Sequence, residues 1–289
     1  MRSVVAAVGV GFGEGPVWRP SLGDLIVTSI SEGALFRVDV AAGTIEHWAD
    51  TAGGPNGALL IEGDGILVAQ NGGLDVSRFR PGPVPPVRPT TPGLQLVDAD
   101  GSVQSVDTDQ PLFSPNDLAV DADGSVVFTD VLHDSEWSRL TGRLWRMTVD
   151  GTINLLEEVP HYLNGVSASP RGLLTAEQSG LRWLREGDRS WFSDECGRVD
   201  GFAVDRDAVA YACVPGQGLV VIGTDGNVLD WLQLPDGHFT TNCCFGGADL
   251  DTLFVTDAGH GTVLAFESMP TPGHPLTPFR PAWPTGIIA

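Results

Sequence analysis

The chain has 289 residues, 42% of them hydrophobic, with 37 Gly, 21 Pro and a formal net charge of −21. All 16 basic residues are Arg, which excludes Schiff-base chemistry and a P-loop lysine, and the acidic balance argues against binding a phosphate backbone. No apolar run approaches the ~20 residues that span a bilayer, so neither nucleic acid nor a membrane is expected as a partner.

Gly and Pro punctuate most of the sequence, which favours many short strands over helices. The N-terminal stretch 1–10 carries one Arg and a short apolar run but leads at once into Gly13-Glu-Gly-Pro16. It reads as a strand rather than a signal peptide, and a soluble cytoplasmic protein is expected. Residues 3–10 alternate weakly and are expected to pair near Thr262-Val-Leu-Ala-Phe266, closing an otherwise open edge. Further strands are expected at Gly13 to Trp18, Asp24 to Ser29, Ala34 to Asp39 and Gly142 to Met147. Arg80 to Pro92 is too rich in Pro to donate a regular ladder and reads as a loop. From Met269 the chain reads as an extended wrap.

One frame organises the rest. A polar residue, often followed by Gly, then an apolar run, a turn and a second apolar run occurs at Asn56–Gln70, Asn116–Asp130, Asn164–Gln178, Asp200–Val214 and Cys243–Asp257. Glu14–Ser29 carries it with one residue more. Starts at 14, 56, 116, 164, 200 and 243 lie near the ~40–50 residues of one four-stranded blade, so the fold expected is all-β, a six-bladed β-propeller in a single domain.

The first strand of each blade lines the axis of such a ring, which brings Glu14, Asn56, Asn116, Asn164, Asp200 and Cys243 together. Asn-Gly and Asp-Gly also serve as turns, but turns have no need of a shared register. Two carboxylates with three carboxamides, and no imidazole, suit a hard cation such as Ca²⁺ in a central metal site left open for water or substrate oxygen. Cys196, Cys213, Cys243 and Cys244 fit neither a disulfide framework nor a zinc site and read as buried thiols. Asp130 and Asp257 end the second strand of their frames, so Asp130 and nearby His133 are further substrate-contact candidates. His161 and His238, which precede their inner strands, are candidates for moving protons. No Gly-x-Ser-x-Gly elbow occurs.

Gly13-Glu-Gly-Pro-Val-Trp18, Pro115-Asn-Asp117, Leu163-Asn-Gly165, Val199-Asp-Gly201 and Cys243-Cys-Phe-Gly-Gly247 resemble, in order and over nearly the whole chain, the family of senescence marker protein (regucalcin), gluconolactonase and luciferin-regenerating enzyme. The resemblance implies a six-bladed propeller with a divalent metal held by Glu14, Asn164 and Asp200. It places Asn116 at the metal or the substrate; in the related diisopropylfluorophosphatase-like propellers the matching Asn is a ligand. Lactone hydrolysis is implied, with Asp200 as general base, Asn56 and Asn116 bonding the substrate, and calcium, zinc, manganese or iron as the metal. Sugar-lactone members carry Arg where this chain has Ser114, and Phe113, Leu132 and Trp137 are expected to make the mouth more apolar. Ester or phosphotriester hydrolysis, a rearrangement in secondary metabolism, and a non-catalytic calcium-binding propeller are the alternatives.

Overall fold

The computed structural model describes residues 2–78, 88–133, 139–185 and 189–282. Among them the strands form six sheets, each of four antiparallel strands, so the molecule is a six-bladed β-propeller. The innermost strands are Gly13–Arg19, Pro55–Leu60, Pro115–Val120, Leu163–Ser169, Phe202–Val204 and Thr240–Gly246. The only helical segment among the described residues is the 3-10 turn Val76–Arg78, in keeping with the density of Gly and Pro.

The last blade is closed by the N-terminus. Val4–Val8 is its outer strand and pairs Val4 with Ala265 and Val8 with Thr262, as the alternation of residues 3–10 anticipates. Each pair of adjacent blades shares an apolar cluster, because a twisted sheet buries one face against each neighbour. Leu59, Leu67, Leu118 and Phe128 join the second and third blades; Leu174, Trp183, Phe202 and Ala212 join the fourth and fifth. The remaining contacts around the ring are built the same way. All four cysteines are buried free thiols within this packing.

The segment after Met269 runs without regular structure over the end of the channel opposite the site described below. It is tied to the fifth blade by His274 N donating to Val204 O (2.9 Å) and to the second by Phe279 N donating to Leu60 O (2.9 Å). Phe279 is fully buried in the cluster between the second and third blades. Residues 79–87, most of the Pro-rich loop, lie outside the described residues, as do Trp137 and the last seven positions; Arg88 is anchored to Asp50 by an ion pair of 2.5 Å. No helix among the described residues is long and apolar enough to cross a membrane.

Candidate active site

Five inner strands break register with their neighbours at the same place: between Glu14 and Val17, Pro55 and Ala58, Pro115 and Leu118, Leu163 and Val166, and Thr240 and Cys243. Such bulges free a residue from the ladder and re-aim it. In the second, third and fourth blades the break falls on the frame's polar residue; in the first it follows Glu14, which stays paired with Thr28, and in the sixth it falls on Thr241 and Asn242, ahead of Cys243. The fifth blade reaches the same geometry with a shorter strand, Asp200 N donating to Cys213 O (2.8 Å) and Gly201 O accepting from Cys213 N (3.0 Å).

A belt of hydrogen bonds between blades then fixes these residues around the axis. Thr28 Oγ1 donates to Asn56 O (2.6 Å), Thr129 Oγ1 to Asn164 O (2.6 Å) and Thr241 Oγ1 to Gly13 O (2.7 Å). Gly165 N donates to Asp200 O (3.2 Å) and Gly201 N to Thr241 O (2.7 Å). The glycine after the polar residue is a packing requirement and not a turn: a Cβ on Gly57 would stand 2.5 Å from Asp117 Oδ1, and one on Gly201 would overlap the Asn242 carboxamide.

Glu14, Asn56, Asn116, Asn164 and Asp200 all line one cavity of about 350 Å³, within the range of small-molecule sites. Its outer wall is apolar: Phe12, Ile30, Leu74, Val76 and Phe239 form a cluster of their own there. Burial raises the Glu14 carboxyl well above its ordinary value, and repulsion from Asp200 and Asp117 adds to the shift. Burial also pushes Asp200 up to about 7, opposed by Arg198 and by a hydrogen bond from Asn164. Asp117, directly below, is pushed to about 7 by the same desolvation. The Asn242 side chain bonds both Glu14 and Asp117. Among the described residues no ion pair reaches Glu14, Asp117 or Asp200, and only the charge of Arg198 offsets Asp200, so the three neighbouring carboxylates are short of the positive charge that burial makes them need.

That deficit is the test of fit for a metal. No cluster of three His, Cys, Asp or Glu side chains with metal-holding geometry occurs among the described residues. The donors present are instead two carboxylates supplemented by carboxamides, with no thiol or imidazole lining the cavity, the set a hard divalent cation accepts. Asn164 Nδ2 donates to the Tyr162 hydroxyl, which turns its carbonyl oxygen to use as a donor.

The family model for the SMP-30/gluconolactonase/LRE-like region matches residues 12–175 and 179–259. The chain belongs to this family. The pentonolactonase XacC of Haloferax volcanii is 29% identical over 264 residues, covering 86% of this chain and 81% of that protein. The 6-deoxy-6-sulfogluconolactonase of Pseudomonas putida is 26% identical over 276 residues, covering 84% and 85%. The crystal structure of the calcium-binding protein regucalcin from Agrobacterium tumefaciens superposes with a TM-score of 0.74 at 20% identity, covering 96% of this chain and 98% of that one.

In this family member the second-strand candidates do not line the cavity. Asp130 is fully buried one layer outward, accepting from Phe113 N (3.1 Å) and Ser114 N (2.6 Å) and pairing with Arg143. It holds the loop that presents Ser114 and Asn116. His133 ends the strand Val126–His133 opposite Leu140, also away from the cavity lining. Asp257 does for the sixth blade what Asp130 does for the third, accepting from Phe239 N (2.8 Å) and Gly259 N (3.0 Å). His161 Nε2 lies 2.9 Å from buried Glu177, and His238 Nδ1 2.9 Å from Pro235 O; neither lines the cavity.

The frame in the sixth blade is displaced. Thr240 pairs with Asp257 as Pro115 does with Asp130, so Thr241 and Asn242 occupy the positions of Asn116 and Asp117, and Cys243 is packed between blades. The apolar mouth also comes from other residues than expected: Phe113 stacks under Arg143 (4.6 Å) instead of facing the cavity, and Leu132 is absent from its lining. Tyr162, Arg198 and Gln217, which do line it, sit on connections outside the repeat. Asn242 was the more legible omission, since it stands where four other blades have Gly.

Proposed function

We propose that this protein is a divalent-metal-dependent lactonase opening a small lactone whose body is less polar than a sugar ring. The observation that carries the reading is the convergence of buried Glu14 and half-buried Asp200, two carboxylates without an ion-pair partner among the described residues, with Asn56, Asn116 and Asn164 on one cavity. The relatives named as lactonases support the reaction class, and the apolar cluster of Phe12, Ile30, Val76 and Phe239 supports the less polar substrate.

Glu14, Asn164 and Asp200 would hold the metal, with Asn116 beside them; calcium suits an all-oxygen set best, and zinc, manganese or iron are the other candidates. A divalent cation bound there supplies Lewis acidity to the lactone carbonyl and charge to stabilise the tetrahedral oxyanion. The chain itself does the rest. Asn56 and Asn116 donate hydrogen bonds that orient the lactone. Asp200 accepts a proton from water as its oxygen bonds to the carbonyl carbon, and returns it to the ring oxygen as the C–O bond breaks. The apolar wall excludes competing water from the ring carbons. The product is the open hydroxy acid, which releases one proton at neutral pH.

That proton is the assay. Against a panel of aliphatic, sugar and aromatic lactones, together with aryl esters and phosphotriesters, proton release in a pH-stat is expected to be fastest for small aliphatic or lightly substituted lactones. Preferential turnover of aryl esters or phosphotriesters would replace the reading with another hydrolysis at the same site.

A further inference from the structure

Among the described residues one cation lines the cavity. Arg198 lines it two residues before Asp200, with its guanidinium carbon 3.8 Å from the centroid of the Tyr162 ring. It is solvent-exposed, and among the described residues no carboxylate pairs with it, whereas Arg19, Arg143, Arg146, Arg182 and Arg189 all form ion pairs. Its backbone is held on both sides, Cys196 at 1% and Val199 at 0% exposure, and Gly197 at φ +81° turns the chain between them. Stacking on Tyr162 restrains the side chain further. A guanidinium so placed presents a fork of N–H donors suited to a carboxylate, sulfonate or phosphate. In a chain of net charge −21 it also offsets the local field that would repel an anion from the mouth.

We infer that Arg198 is a specificity-determining residue that takes an anionic substituent of the lactone, so that the substrate class is a small lactone carrying a second, negatively charged group. The inference rests on the lactonase reading. The apolar cluster takes the ring carbons, the carboxylates and carboxamides take the reacting ester, and Arg198, exposed on the Tyr162 side of the cavity, takes the substituent.

The test compares kcat/KM for γ-carboxymethyl-γ-butyrolactone with that for γ-hydroxyethyl-γ-butyrolactone, two lactones of the same ring and nearly the same shape. Wild type is expected to prefer the anionic lactone. In Arg198→Met the ratio of the two kcat/KM values is expected to fall about 10–100-fold, mainly through KM, the range of a charge-assisted hydrogen bond, and Arg198→Lys is expected to recover part of it. An unchanged ratio in Arg198→Met, including the case in which both substrates slow equally because Tyr162 has lost its neighbour, overturns the inference while leaving the lactonase reading standing. If wild type turns over neither lactone, the lactonase reading is decided by the wider panel and calorimetry decides the inference. Tighter binding of the ring-opened dicarboxylate than of the ring-opened monocarboxylate, lost in Arg198→Met, sustains an anion site at Arg198; equal binding overturns it.

Discussion

Asp200→Asn is expected to lower kcat for lactone hydrolysis at least ~10³-fold with the propeller intact, the upper part of the range for loss of a general base. The two side chains have the same shape, and the backbone bond of Asp200 N to Cys213 O is untouched. What disappears is a group that can accept a proton; burial puts its carboxyl at about 7 in the metal-free protein, and a cation bound beside it would hold it ionised. A carboxamide cannot take a proton from water under these conditions, and its weaker donor oxygen also loosens the hold on a cation. Because the folded state no longer carries a second carboxylate repelling Glu14, stability should not fall, which separates loss of chemistry from loss of fold. Single-turnover kinetics and thermal unfolding on the same preparation make the comparison; full activity in the variant would remove Asp200 from the mechanism.

Glu14→Gln is expected to weaken metal affinity by more than ~100-fold, beyond the ~10–100-fold that the outer hydrogen-bond partners of a metal ligand command. In excess chelator the same substitution is expected to stabilise the fold, by about 0.5–2 kcal/mol, as removal of functional strain commonly does. The sign follows from the raised pKa of Glu14, whose first cause is burial and second the charge of Asp200. In the unfolded chain Glu14 ionises near its ordinary value of 4.5, while the folded protein resists ionising it. The resulting cost to folding is absent at acid pH, grows as pH rises above that value and levels off above the folded pKa. The advantage of Gln over Glu should therefore widen from pH ~4 to neutrality. Calorimetric metal titration and denaturant unfolding in chelator measure the two effects. A variant that binds metal as tightly as wild type, or that is less stable than wild type in chelator at neutral pH, would contradict this account of the site.

The frame was legible because each blade repeats the same physical problem. An inner strand must bulge at the axis, present a polar residue there and let the next blade approach its backbone, and that leaves Asn-Gly or Asp-Gly in register at 56, 164 and 200. It misled in the sixth blade because Thr241 to Asp257 spans two residues more than Asn116 to Asp130, so a gapless frame slid onto Cys243. Asp130 attracted attention because it ends the second strand of its frame, yet it is a fully buried carboxylate that must be compensated. Its compensation turned out to be Arg143 and two backbone N–H groups of its own blade, contacts that no sequence spacing reveals. Asp117 and Asn242 illustrate the same limit from the other side. They fill the space that Gly57 and Gly201 leave open across the channel, and that complementarity exists only once the ring has closed. Tyr162 and Arg198 belong to connections, where no repeat constrains the residue type.

The claim on which the rest depends is that the uncompensated carboxylates Glu14 and Asp200 form a divalent-metal site that the reaction requires. The direct measurement is metal content per chain after purification, followed on the same sample by lactone hydrolysis before chelation, after chelation, and after add-back of Ca²⁺, Zn²⁺, Mn²⁺ or Fe²⁺. The account predicts about one ion per chain, with activity lost on its removal and restored by its return. Lactone hydrolysis that continues undiminished in the fully demetallated protein would contradict it.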